Sequence, residues 1–221
     1  MLRSYTAALL AAAVLPAASS LAATINGPNA TGVTTIIADT TTAAPVGNGS
    51  FSLLNLPTLN DAGQAAFSAN LTGTSGGSAD DTGIYRGDGT VGGLVNIARE
   101  GQTEPDGNGR FSTNDTHNQH DAGQAAFCGL LTGTSGGASD DFGIYRGDGT
   151  VGGLVSIAHE GQTPPEGNGT FSAFNTPVLN NSGQAAFVAG LTGSSGGAAD
   201  NFGLYLGDGT AGGLVNIARE G

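Results

Sequence analysis

The chain repeats itself every 60 residues, and that period confines it to an array of like units. Gly47-Asn48-Gly49, Gly107-Asn108-Gly109 and Gly167-Asn168-Gly169 open three units, and every later punctuation mark recurs at the same offset. Each unit carries a Gly-Gln-Ala-Ala-Phe segment at 63–67, 123–127 and 183–187. A Gly-Asp-Gly turn follows at 87–89, 147–149 and 207–209, and a Leu-Val-x-Ile-Ala segment closes the unit. The units therefore run 47–106, 107–166 and 167–221, behind an N-terminal segment 24–46 with a spare strand near 33–38.

Between these marks four short strands fit. In the first unit they are predicted near Phe51 to Leu54, Gln64 to Leu71, Gly83 to Arg86 and Leu94 to Arg99. The second alternates with period two, setting Ala65, Phe67, Ala69 and Leu71 on a buried face and Ala66, Ser68 and Asn70 on a wetter one. Phe67, Phe127 and Phe187 are the predicted core. Asn60-Asp61-Ala62-Gly63 reads as a hairpin turn, with Asn60 capping and Gly63 taking a positive φ; Gly123, Asn180 and Gly183 hold the same places. Gly-Asp-Gly is a tight turn between the third and fourth strands. Thr74 to Asp81 reads as an exposed loop between the second and third.

The fold class is thus all-β: tandem four-stranded antiparallel units, in the manner of β-propeller blades packed face to face. Closed propellers use about four to eight blades, so three units imply an open array or part of a larger ring. A β-trefoil is the alternative closure. The chain stops at Arg219-Glu220-Gly221 without a capping segment, so truncation at Gly221, or cover from a partner or a second copy, is expected.

Ahead of the array, Arg3 and the apolar run Thr6 to Ala18 lead to Ser20-Leu21-Ala22, a small-x-small cleavage signal. Residues 1–23 read as a secretory signal peptide, too short for a membrane span. Leaving out Arg3, five basic residues face 18 acidic ones, a net charge of 5 − 18 = −13 with histidine neutral. That excludes the basic patch a nucleic-acid binder needs. The single cysteine, Cys128, replaces Ser68 and Val188 of the other units and reads as a small half-buried side chain.

Asn60-x-x-Gly63-x-x-Ala66-Phe67 and Asn180-x-x-Gly183-x-x-Ala186-Phe187 resemble the tandem-repeat family of exported bacterial proteins named for its Asn-x-x-Gly-x-x-Ala-Phe signature, of the choice-of-anchor type. The resemblance implies an extracytoplasmic or surface-associated repeat protein without an assigned activity. The second unit departs from the signature, with His120 at the Asn position and Thr116-His117-Asn118 in place of a Leu-Pro-Thr type sequence, so its first hairpin is expected to differ.

Few residues suggest chemistry. Asp80, Asp81, Asp88, Asp140, Asp141 and Asp148 offer hard oxygen ligands for calcium, but their spacing fits neither an EF-hand nor a calcium solenoid, and turn-forming aspartates are the better reading. His117, His120 and Asp121 could suggest zinc, yet two histidines on a drifting loop do not make a site. Arg99-Glu100, His159-Glu160 and Arg219-Glu220 read as solvated strand ends, and Tyr85, Tyr145 and Tyr205 as half-buried packing. No catalytic residue and no cofactor is inferred. A structural or interaction role is expected, through self-association or contact with an extracellular polymer. The competitors are a secreted hydrolase or lyase built on loops around His117 and His120, and a calcium-dependent adhesion module.

Overall fold

The computed structural model describes residues 21–24, 34–119 and 123–221; at 21–24, 34 and 113–119 the backbone alone is described. A first hairpin pairs β1 (Leu21–Thr24) with β2 (Thr34–Ala38). Residues 1–20, most of the predicted leader, lie outside the described residues, while β1 occupies its last positions and Thr24.

Three antiparallel sheets follow, each a meander in which sequential strands lie side by side. The first holds β3 (Ser50–Leu54), β4 (Thr58–Leu59), β5 (Ala65–Thr72), β6 (Thr82–Gly87) and β7 (Val95–Arg99). The second holds β8 (Arg110–Gln119), β9 (Ala125–Thr132), β10 (Phe142–Gly147) and β11 (Val155–His159). The third holds β12 (Thr170–Phe174), β13 (Val178–Leu179), β14 (Ala185–Thr192), β15 (Phe202–Gly207) and β16 (Val215–Arg219). The molecule is all-β, and none of the sheets closes into a barrel.

The turns form for the reasons their sequences suggest. The Gly63 amide donates to the Asn60 carbonyl at 3.1 Å, and Asn60 Oδ1 accepts from the Gln64 amide at 2.8 Å. Gly63 has φ +78°, a conformation that strains residues bearing a Cβ. In the third sheet Asn180 and Gly183 repeat the arrangement, with 3.0 Å and 2.9 Å for the same two bonds. His120 of the second sheet lies outside the described residues; Gly123 keeps its positive φ of +73°.

One difference between the sheets has a simple cause. Pro57 and Pro177 follow β3 and β12, and the edge breaks into a five-residue and a two-residue strand. Proline has no N–H to give to a ladder. His117 stands at the same offset in the second sheet, where β8 runs unbroken for ten residues, pairing His117 with Phe127. The short strands β4 and β13 were not among the four expected per unit.

Each sheet buries an aromatic trio on one face: Phe51, Phe67 and Tyr85, then Phe111, Phe127 and Tyr145, then Phe171, Phe187 and Tyr205. In each, the first phenylalanine meets the tyrosine edge to face, at 4.8, 4.9 and 4.9 Å between centroids. Such geometry adds about 0.5–1.5 kcal/mol per pair to the area term. The tyrosines are fully buried, which corrects the half-buried expectation: their rings belong to the centre of the trio.

The wetter face expected of β5 is also corrected. Ala66 and Ser68 are buried, because the back of the first sheet packs on the trio face of the second. One continuous cluster joins Ala66, Ile84, Ile97 and Ala98 to Phe111, Phe127 and Tyr145. The next joins Ala126, Cys128, Ile144, Ile157 and Ala158 to Phe171, Phe187 and Tyr205. Cys128 is thereby buried, with its thiol 3.9 Å from the Asn175 carbonyl. Ile37 and Ala38 of β2 cover the trio face of the first sheet in the same way.

Candidate functional site

The most developed feature of the molecule is the contact between successive sheets. Gly87, Gly147 and Gly207 end β6, β10 and β15. A Cβ at these positions would lie 2.7, 2.8 and 2.7 Å from Cγ2 of Ile37, Ile97 and Ile157. Glycine is needed because an isoleucine from the last strand of the preceding sheet or hairpin sits directly on the backbone. Beside each isoleucine, Thr35, Val95 or Val155 fits against Gly89, Gly149 or Gly209 of the adjoining turn. The contact is a knob of two side chains in a hole lined by glycine.

A cation ties the same faces together. Arg86 and Arg146 reach to the signature glycines of the following sheet, so that a Cβ at Gly123 or Gly183 would collide with their guanidinium nitrogens. Arg146 donates to Gln124 Oε1 at 2.8 Å and to the Asp208 carbonyl at 3.1 Å. Gly123 and Gly183 thus serve two ends, a positive φ and the approach of an arginine from outside their own sheet.

Clefts open beside these contacts. One of about 620 Å³ lies between the first and second sheets, lined by residues including Asn48, Asn96, Arg99, Glu100 and Thr150. A smaller one of about 220 Å³ occupies the equivalent place one sheet on, with Ser156, His159 and Thr210 on its walls. Arg99 is not a solvated end as expected. It is buried, and donates through Nε and Nη2 to the Asp80 carbonyl at 2.9 and 2.8 Å and through Nη2 to the Asn48 carbonyl at 2.7 Å. Arg219 makes the Nε bond to Asp200 at 2.9 Å and an ion pair with Glu166 at 2.7 Å.

His159 stands where these arginines stand and bonds only locally, with Nδ1 2.8 Å from the Glu160 carbonyl. Buried Glu104 accepts from the Asn108 and Asp106 amides there, and a cavity of about 20 Å³ remains, space on the scale of one water molecule. Glu160 next to it is raised from an ordinary 4.5 to about 7, by its own burial and then by the charge of Asp141. Glu100 is raised for the same reasons, with Asp81 as its neighbour.

The sequence-predicted calcium ligands are scattered among separate turns. Asp80 and Asp140 accept from Asn48 and Asn108 at 2.7 and 2.9 Å and from the amides of Gly76 and Gly136. Asp88 and Asp148 accept from the amide and hydroxyl of Thr90 and Thr150. Asp81 and Asp141 lie beside Glu100 and Glu160. Among the described residues no three His, Cys, Asp or Glu are placed to hold a metal ion. His120 and Asp121 lie outside the described residues, and of His117 only the backbone is described.

Over residues 11–221 the sequence matches a family of unknown function (DUF7453). The chain belongs to that family. Among curated proteins none matches it. The DUF7453 match takes in β2 together with all three sheets.

At the far end, the back of the third sheet has no neighbour among the described residues. Ile97 and Ile157 are 3% and 5% exposed, and Ile217 at the same offset is 55% exposed. Leu204 and Val188, at the places of buried Ile144 and Cys128, are each 37% exposed. An open blade face was expected of the array, but strand-by-strand reading did not name its residues. Its signal lay in comparing Ile217 with Ile97 and Ile157 once the stacking direction was known. Among the described residues no helix is long and apolar enough to cross a membrane.

Proposed function

We propose that this is an exported, extracellular or cell-surface repeat protein with a structural or interaction role, its sheets acting as consecutive blades of a propeller-like array. One observation carries the reading: Ile37, Ile97 and Ile157 each fill a glycine-lined hole, and Ile217 stands ready without one. Repetition of one contact builds extended surface, whereas catalysis draws on an asymmetric cluster. Export rests on the leader-like residues 1–23 and on the Asn-x-x-Gly-x-x-Ala-Phe resemblance. Stacked blades are favoured over a trefoil because a trefoil shares strands in a common barrel, and here each meander pairs within itself.

The test has two arms. Protein recovered from outside the cytoplasm is expected to begin near Thr24, and a panel of polysaccharides and esters is expected to be left intact. Turnover that disappears in His117→Ala or His120→Ala, with the circular dichroism unchanged, would overturn this role in favour of a hydrolase or lyase. A chain found only inside the cell, with Arg3 retained, would remove the export.

A further inference from the structure

The geometry points to the back of the third sheet as a two-fold interface between two copies of this chain, an inference that rests on the interaction role above and names its partner. Four observations converge. The face continues the contact already used twice within the chain, with the same strand and the same knob residues, Val215 and Ile217, now 42% and 55% exposed. It is more apolar than its counterparts: Val188 stands for Ser68 and Cys128, and Leu206 for Arg86 and Arg146. With Phe202 and Leu204 these residues form one contiguous patch on β14, β15 and β16, of the kind that marks an interaction site in a soluble protein.

The third observation excludes a head-to-tail arrangement. The hole that would receive Ile217 on a second copy is the trio face of its first sheet, and Ile37 and Thr35 already occupy it. Among the described residues, the surface left to meet the open back is another open back. In a two-fold contact the same patch serves both subunits, so each residue near the axis faces its own copy.

Leu206 supplies the fourth. An arginine there, as at 86 and 146, would set two guanidinium groups across one interface with no Gly-Asp turn to receive them. Like charges so placed oppose association. Leucine removes that repulsion and adds apolar area.

The experiment is light scattering on the chain from Thr24 onward between about 1 and 100 μM, the range in which a modest interface associates. A dimer is expected, with Leu206→Arg weakening association at least about tenfold while circular dichroism stays unchanged. Ile217→Cys, oxidised, should give a covalent dimer through self-apposition; Leu56→Cys, exposed between β3 and β4, should not. A monomer at every concentration, or a dimer indifferent to Leu206→Arg, overturns the proposal. Mass that keeps growing with concentration overturns the two-fold form in favour of an open stack. Enzymatic turnover by a dimer would defeat the non-catalytic role and leave the interface standing, so the two failures are distinct.

Discussion

Glu160 shows how one residue reports the crowding of charge in this acidic chain. Its carboxyl, half-buried beside Asp141, is raised to about 7, so the folded state holds a proton that the unfolded chain, near 4.5, releases. Its stabilising effect is therefore complete below about pH 4.5 and is lost as the pH rises through about 7. Asp80, Asp140 and Asp200 are shifted the other way by hydrogen bonds from Thr74, Thr134 and Ser194. Their effect fades only as the pH falls below the ordinary 3.8, outside that window. Glu160→Gln, which imitates the protonated acid, is expected to stabilise the protein at pH 8 by about 1 kcal/mol, discounted for partial exposure, and to add nothing at pH 4.5. Urea titration at the two pH values checks it; an equal gain at both would remove the linkage. None of this was legible beforehand, because Glu160 follows His159 in sequence and its partner Asp141 comes from the start of a different strand. Asn60 and Gly63 were legible, since a turn is a local matter of side-chain reach and φ.

At the scale of the strand, proline decides where an edge can be continuous. β8 is an edge strand and its ladder passes through His117, the place of Pro57 and Pro177. His117→Pro should split β8 as the edges of the other sheets are split. The cost should be about 1 kcal/mol, the order of one net hydrogen bond, because an edge tolerates proline. Hydrogen exchange is expected to show faster exchange around residues 115–118 and unchanged protection along β9, β10 and β11. Loss of protection throughout the second sheet would mean the three edges are not interchangeable. The strands β5, β6 and β7 were readable because short apolar stretches, alternating in β5 and β7, lie there between glycine-rich turns. β4 was not, since two residues between Pro57 and Asn60 carry no periodicity. The back of β5 was misread for a physical reason: Ala66 and Ser68 are small enough to let two sheets approach, and small residues in alternation imitate a polar face.

For the whole molecule, stacking makes position along the array matter more than residue type. Ile97, Ile157 and Ile217 share a strand, a register and a local sequence, and differ only in what lies opposite them. Truncating a buried isoleucine to alanine typically costs 2–5 kcal/mol through lost transfer energy and the cavity left behind. Ile97→Ala and Ile157→Ala empty holes over Gly147 and Gly207, and about 2–4 kcal/mol is expected from each. Ile217→Ala empties nothing within the chain, so below the concentration at which copies associate it should cost less than about 1 kcal/mol. Raising the protein concentration separates the contact between copies from the fold: the penalty at Ile217 should then grow while those at Ile97 and Ile157 stay fixed, since only the first depends on a second chain. Three equal penalties in dilute protein would mean that the back of the third sheet is covered by its own chain, and the distinction between its inner and outer sheets would disappear.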